Sequence, residues 1–186
     1  WKDELVGEIS GYIKEILDAA IASNWDNGLL RNYYDDVGGP HGFGEISGST
    51  LLASVAYRMA VINPTVFNAT YINFAERIRN KIGGNTGGNP HVTSRGIVTP
   101  AVNPLNWRDT RKFTTGSPEG QAMTVLMYTA YRDCIQASIC RHPIVEGSGA
   151  NLATGGEELP TIPGAERRMI RRSHTQRRQA PHGDNN

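Results

Sequence analysis

The chain has 186 residues, 38% of them hydrophobic and 20% charged, with a net charge of +1; this is enough for one domain with a packed core. No run approaches the ~18 uncharged apolar residues of a membrane-spanning helix, and the 21 glycines and 10 prolines are too scattered for a collagen-like or wholly disordered chain. The balance hides a split, because residues 166–186 hold six arginines against Glu166 and Asp184, which makes them +4 and the rest of the chain −3. A mildly acidic body argues against nucleic-acid binding, which needs a basic face.

Leu5, Val6, Ile9, Tyr12, Ile13, Ile16, Leu17, Ala20 and Ile21 recur every three or four residues and predict an amphipathic helix over about 3–22. Ser23–Gly28 carries turn chemistry, with Asn27-Gly28 suited to positive φ. A loop containing Gly38-Gly39-Pro40-His41-Gly42-Phe43-Gly44 leads to a second helix over about 47–62, stopped by Asn63-Pro64. A third helix is expected over about 65–82, broken by the glycine-rich stretch 83–90. Residues 91–102 alternate weakly and read as a short β-hairpin or an irregular loop. Ser117-Pro118-Glu119 opens a fourth helix with a cap, a proline in the first turn and an acid beside it, running to about Ser138. From 141 the composition is that of a basic, disordered tail, which a sorting or nucleic-acid role would fit less simply. The expected division is therefore 1–140 for the folded part and 141–186 for the tail.

The pattern repeats. Gly44–Leu51 resembles Gly116–Met123, with Gly48 and Gly120 in register 72 residues apart and an Ala-Tyr-Arg triplet after each. Each unit reads as a polar loop, an inner helix, a turn and an outer helix, a hairpin that buries its apolar face against neighbouring hairpins. The chain holds fewer than three such units, and with no initiator Met or signal-like segment before Trp1 it reads as a fragment. Cys134 and Cys140 can form a disulfide if the fourth helix ends between them; no Cys/His spacing suggests zinc. Asn68-Ala69-Thr70 is an N-glycosylation triplet, informative in a secreted protein.

Asn27-Gly28-Leu29-Leu30 followed by Phe43–Ala53 resembles the late hairpins of six-hairpin glycosidases, and Asn103–Trp107 followed by Ser117–Ala122 is similar to the last repeat, especially in fungal members. The nearest likeness is to unsaturated rhamnogalacturonyl hydrolases, glycoside hydrolase family 105, and to the related family 88. The resemblance covers about residues 1–140 and implies an all-α fold, a partial (α/α)6 toroid whose open end binds an oligosaccharide. Members of the family act on 4,5-unsaturated uronic acids of pectin fragments by hydrating the double bond: an aspartic acid protonates C4 and water adds at C5. The family's distinctive aspartates and its Arg-Gly-Asn-Gly-Trp contacts precede these repeats, and no Arg-Gly-Asn-Gly-Trp occurs here. The main acid/base is thus expected outside this chain, and secretion follows from the resemblance. The rival readings are another (α/α)-toroid enzyme, such as a different glycosidase or a sugar epimerase, and a non-catalytic helical-repeat binding module.

Candidate residues cluster at the two inner-helix starts, where free N–H groups and the helix dipole suit a carboxylate. Ser47, Ser117, Gly120 and Gln121 are candidate substrate contacts, with Gly120 leaving room for close approach; the plainer reading of each serine is a helix cap. His41 is a candidate sugar contact or proton shuttle, or else an ordinary loop histidine. Glu45 and Glu119, placed at equivalent repeat positions, would form a glycosidase-type acid/base pair if they faced one another, and otherwise simply complement the helix dipoles. Trp107 and Trp25 can stack on sugar or pack. Asp35-Asp36 falls short of a calcium ligand set, and no Gly-x-Ser-x-Gly elbow supports a serine triad. No metal or other cofactor is expected, and the oligomeric state is left open.

Overall fold

The computed structural model describes residues 2–83, 91–106 and 108–141, all within one compact unit, Trp1–Ile144. It is mostly helical: α1 is Asp3–Ala22, α2 Ile46–Ile62, α3 Ala69–Gly83 and α4 Pro118–Gln136, with two short strands, β1 (Trp25–Asp26) and β2 (Leu29–Leu30). The expected tail lies outside the described residues beyond Arg141.

Local chemistry sets these boundaries. Asp3 and Glu4 sit in the first turn of α1 and complement its dipole. At its end Ser23 Oγ and Trp25 Nε1 donate to the free Ala20 carbonyl at 2.8 and 3.3 Å. Asn27 and Gly28 both take positive φ, 47° and 81°, and turn β1 antiparallel onto β2, as an Asn-Gly hairpin does. The extended chain then continues beyond β2: Arg31 bridges Gly44, and Asn32 N–H donates to the Phe43 carbonyl at 2.9 Å. The loop between them is thereby clipped at its base.

Two boundaries differ from expectation. The third helix begins at Ala69 rather than near 65, because Asn63 gathers the Val66 and Phe67 amides into a separate turn. Asn68 then caps the helix; asparagine side chains compete with helical bonding in just this way. The fourth helix ends at Gln136, where Ser138 adopts φ 60° and the Cys134 carbonyl accepts from both Ile139 and Cys140. That reversal brings Cys134 and Cys140 together as a disulfide. Residues 91–106 and 108–113 are irregular, with isolated bridges between Val92 and Val98 and between Ala101 and Phe113.

Helix α2 lies at the centre. Its buried set, which includes Ala53, Ala56, Tyr57, Met59 and Ala60, covers more than one face because α3 and α4 both pack on it. Helix α4 runs parallel to α2: Gly120 abuts Ile46 at the start of both, and the Tyr57 and Tyr131 rings meet 5.4 Å apart further along. Helix α3 runs antiparallel to α2. Helix α1 follows the direction of α3, since Asp18 reaches Tyr71 while Trp25, beyond its end, stacks edge-on to Phe74. The apolar stripes of α1 (Leu5, Ile9, Tyr12, Ile16) and part of α4 (Val125) remain 45–63% exposed.

Candidate functional site

The start of α2 is fastened on every side. Glu45 N–H donates to the Leu30 carbonyl and Ile46 N–H to the Pro100 carbonyl, both at 2.9 Å. Ser49 Oγ, fully buried, donates to the Glu45 carbonyl at 2.6 Å and accepts from Leu30 N–H at 2.9 Å. Gly44 lets the chain cross β1, since a Cβ there would strike the Asp26 carbonyl; its N–H donates to Asp26 Oδ2 at 2.9 Å.

On this backbone Glu45 caps α2: Oε2 accepts from Gly48 N–H at 2.7 Å. The residue is only 6% exposed, and among the described residues Oε1 has no hydrogen-bond partner. A buried carboxylate oxygen without a donor is costly and calls for an explanation. Glu45 also borders a cleft of about 210 Å³, lined with it by Leu30, Arg31, Asn32, Tyr34, Gly48 and Ser49. Arg31 is held by the Gly42 carbonyl at 2.6 Å, while its Nε is buried and unpartnered. Burial pushes the Tyr34 hydroxyl above its usual range, so it stays protonated and able to donate. The cleft is thus lined mainly by polar residues, Glu45 and Tyr34 among them, a lining that suits a polyhydroxylated ligand.

A wider cleft of about 500 Å³ shares Arg31 and is lined also by Asp26, Gly39, Phe43, Arg111 and Lys112. Arg31 lies 4.0 Å from Asp26 there, and Lys112 adds a further positive charge, which suits an anionic group. Arg111 is itself paired with Asp109 at 2.8 Å, and this pairing holds the Asp109 carboxyl below its ordinary value.

The residues singled out from sequence divide. Glu45 lines the cleft, but Glu119 does not: it is exposed and accepts from Ser117 Oγ at 2.8 Å. The 72-residue step in fact superposes Glu45 on Ser117, whose Oγ accepts from Gly120 N–H at 3.1 Å as Glu45 accepts from Gly48. The two glutamates are therefore not equivalent. Gly120 admits a helix rather than a ligand, for a Cβ there would lie 2.8 Å from Ile46 Cγ2 and 3.4 Å from Ser47 Oγ. Ser47 thus faces α4. Gln121 fastens a loop, its Oε1 accepting from Val98 N–H at 2.6 Å. His41 Nδ1 is bonded to the Thr110 hydroxyl at 2.8 Å and lines neither cleft. Trp25 packs, with Arg77 stacked 3.9 Å over its ring. Asp36 Oδ1 is taken by Gly39 N–H at 2.6 Å. Trp107 lies outside the described residues.

Asp26, Arg31, Asn32 and Tyr34 were not singled out from sequence. The Asn-Gly hairpin was their signal: it fixes where β2 ends, and the residues continuing past β2 must pass the start of α2. Among the described residues no helix is long and apolar enough to cross a membrane, and no group of three or more His, Cys, Asp or Glu is placed to hold a metal. Comparison of the chain with protein-family models, curated proteins and solved structures finds no match.

Proposed function

We propose that this chain is part of an (α/α)-toroid carbohydrate-active protein and that the Glu45 cleft holds a sugar. The observation that carries the reading is Glu45 itself, buried on a locked backbone at the border of the cleft with one carboxylate oxygen unpaired. The helix order supports the toroid: parallel α2 and α4 serve as inner helices, with α1 and α3 as outer ones. The exposed stripes of α1 and α4 are then the faces that meet neighbouring hairpins.

The substrate class proposed is an oligosaccharide of pectin ending in a 4,5-unsaturated uronic acid. In this reading the Glu45 carboxylate accepts from a sugar hydroxyl, Tyr34 donates to a ring substituent, and the cleft of Arg31, Arg111 and Lys112 receives the carboxylate. Hydration of the double bond needs an acid at C4, and no second carboxylate lines the Glu45 cleft. That favours sugar binding, rather than turnover, by these residues alone; in the whole enzyme the acid comes from another hairpin. The Cys134–Cys140 disulfide supports a secreted protein, because disulfides persist in oxidising compartments.

The test is calorimetric titration of the chain with an unsaturated galacturonate–rhamnose disaccharide, alongside ultraviolet monitoring of the conjugated double bond. Binding without loss of absorbance is expected, weakened about tenfold by Glu45→Gln, the loss of one charged hydrogen bond. A folded chain that does not bind the disaccharide overturns the reading; loss of absorbance overturns only the assignment of the acid to another hairpin.

A further inference from the structure

We infer that Asn68 is an acceptor for an N-linked glycan. Asn68-Ala69-Thr70 is the one Asn-x-Ser/Thr triplet in the whole sequence whose middle residue is not proline. Asn63-Pro64-Thr65, in the same turn, has the right ends but a barred centre, and so serves as a built-in control.

The fold presents the triplet well. Asn68, Ala69 and Thr70 are all exposed, while Phe67 beside them is fully buried and anchors the turn. Asn68 is the N-cap of α3, its backbone carbonyl accepting from Tyr71 N–H at 3.1 Å and its side-chain Oδ1 from Thr70 N–H at 3.0 Å. The cap uses only the amide oxygen. The nitrogen Nδ2, where a sugar attaches, takes no part in it, so the capped helix persists after modification.

Two further observations point the same way. The Cys134–Cys140 disulfide is of the kind that persists in an oxidising lumen, the compartment in which such glycans are added. The acceptor also sits past the C-terminal end of α2, whereas the Glu45 cleft sits at its N-terminal end; 17 residues of helix separate them by about 25 Å. A glycan there leaves the cleft open, and the inference does not rest on the sugar-binding reading.

The transfer balances as a substitution. Asn68 Nδ2 forms a bond to C1 of the terminal sugar of a lipid diphosphate-linked oligosaccharide. The C1–O bond to the diphosphate breaks, its electron pair leaves with the lipid diphosphate, and the amide gives up one proton.

The experiment places the full chain behind a cleavable secretion signal in a eukaryotic host. Peptide maps are then made of the secreted and lumenal pools, before and after peptide N-glycanase. The expected result is one glycan, on Asn68, released with conversion of that residue to aspartate. It is lost in Asn68→Gln and Thr70→Ala and retained in Thr70→Ser. An unmodified Asn68 in the lumenal pool, or a mobility shift that survives Asn68→Gln, overturns the inference.

Discussion

Tyr57 Oη, on the central helix, donates to Glu76 Oε1 on α3 at 2.6 Å. Glu76 in turn holds Arg79 at 2.6 Å, and the Arg79 guanidinium lies 4.2 Å over the Tyr131 ring of α4. Three helices are thus tied through one polar chain whose central cation is 5% exposed. Burial, and after it the bond to Glu76, push the Tyr57 hydroxyl far above its usual range.

The sign of the resulting pH dependence follows directly. An unfolded tyrosine ionises near pH 10, while Tyr57 in the folded chain does not, so its contribution is complete below about pH 10 and is lost as the pH rises further. The melting temperature is expected to fall steeply above about pH 10. Tyr57→Phe should lower stability by about 1 kcal/mol at neutral pH and flatten that alkaline slope. Thermal melts across the alkaline range check both; an unchanged slope in the variant would contradict the account.

The contact between Gly120 and Ile46 sets how closely α2 and α4 approach. Gly120→Ala places a methyl group 2.8 Å from Ile46 Cγ2 and should cost about 1–3 kcal/mol by overpacking. Combined with Ile46→Ala, which removes that methyl, the two losses should be clearly less than additive. A denaturant-melt double-mutant cycle gives the coupling, and simple additivity would refute the contact.

Ser49 joins β2 to the start of α2 while holding Glu45. Ser49→Ala leaves the buried Leu30 N–H without its acceptor and should cost about 1–3 kcal/mol. Hydrogen exchange at Leu30 should rise at the same time, and disaccharide affinity should drop even though Ser49→Ala leaves Glu45 in place. Unaltered exchange at Leu30 would show that the bond contributes nothing.

Closing the short Cys134–Cys140 loop restricts the unfolded chain. Replacing both cysteines with serine should lower stability by about 2 kcal/mol. Peptide mapping without reductant should recover residues 134 and 140 in one linked fragment; free thiols at both positions would count against the pairing.

The apolar stripe of α1 is solvated in this chain, with Ile9 47% and Ile16 56% exposed. The isolated protein is expected to self-associate, and Ile9→Lys with Ile16→Lys should reduce the associated fraction with little change in melting temperature. Sedimentation velocity over a concentration series reads this out.

Periodicity and punctuation alone determined a good part of the protein. The four helices, the Asn27-Gly28 turn, the Ser117 cap and the stop at Asn63-Pro64 all rest on interactions within a few residues, and these act the same way in any fold. The likeness of the starts at Gly48 and Gly120 extends to their caps, Glu45 and Ser117 each accepting from the glycine three residues on. What the sequence could not show is which polar groups end up facing each other. Glu45 and Glu119 look alike as letters before a helix. Yet the residue continuing past β2 at Arg31, the Ser49 hydroxyl and the Pro100 carbonyl close around Glu45, while Glu119 stays in solvent. Burial, and with it an unpaired carboxylate oxygen, is created by segments distant in sequence. Only the tertiary structure decided, therefore, that one glutamate borders a cleft and that Gly120 makes room for Ile46.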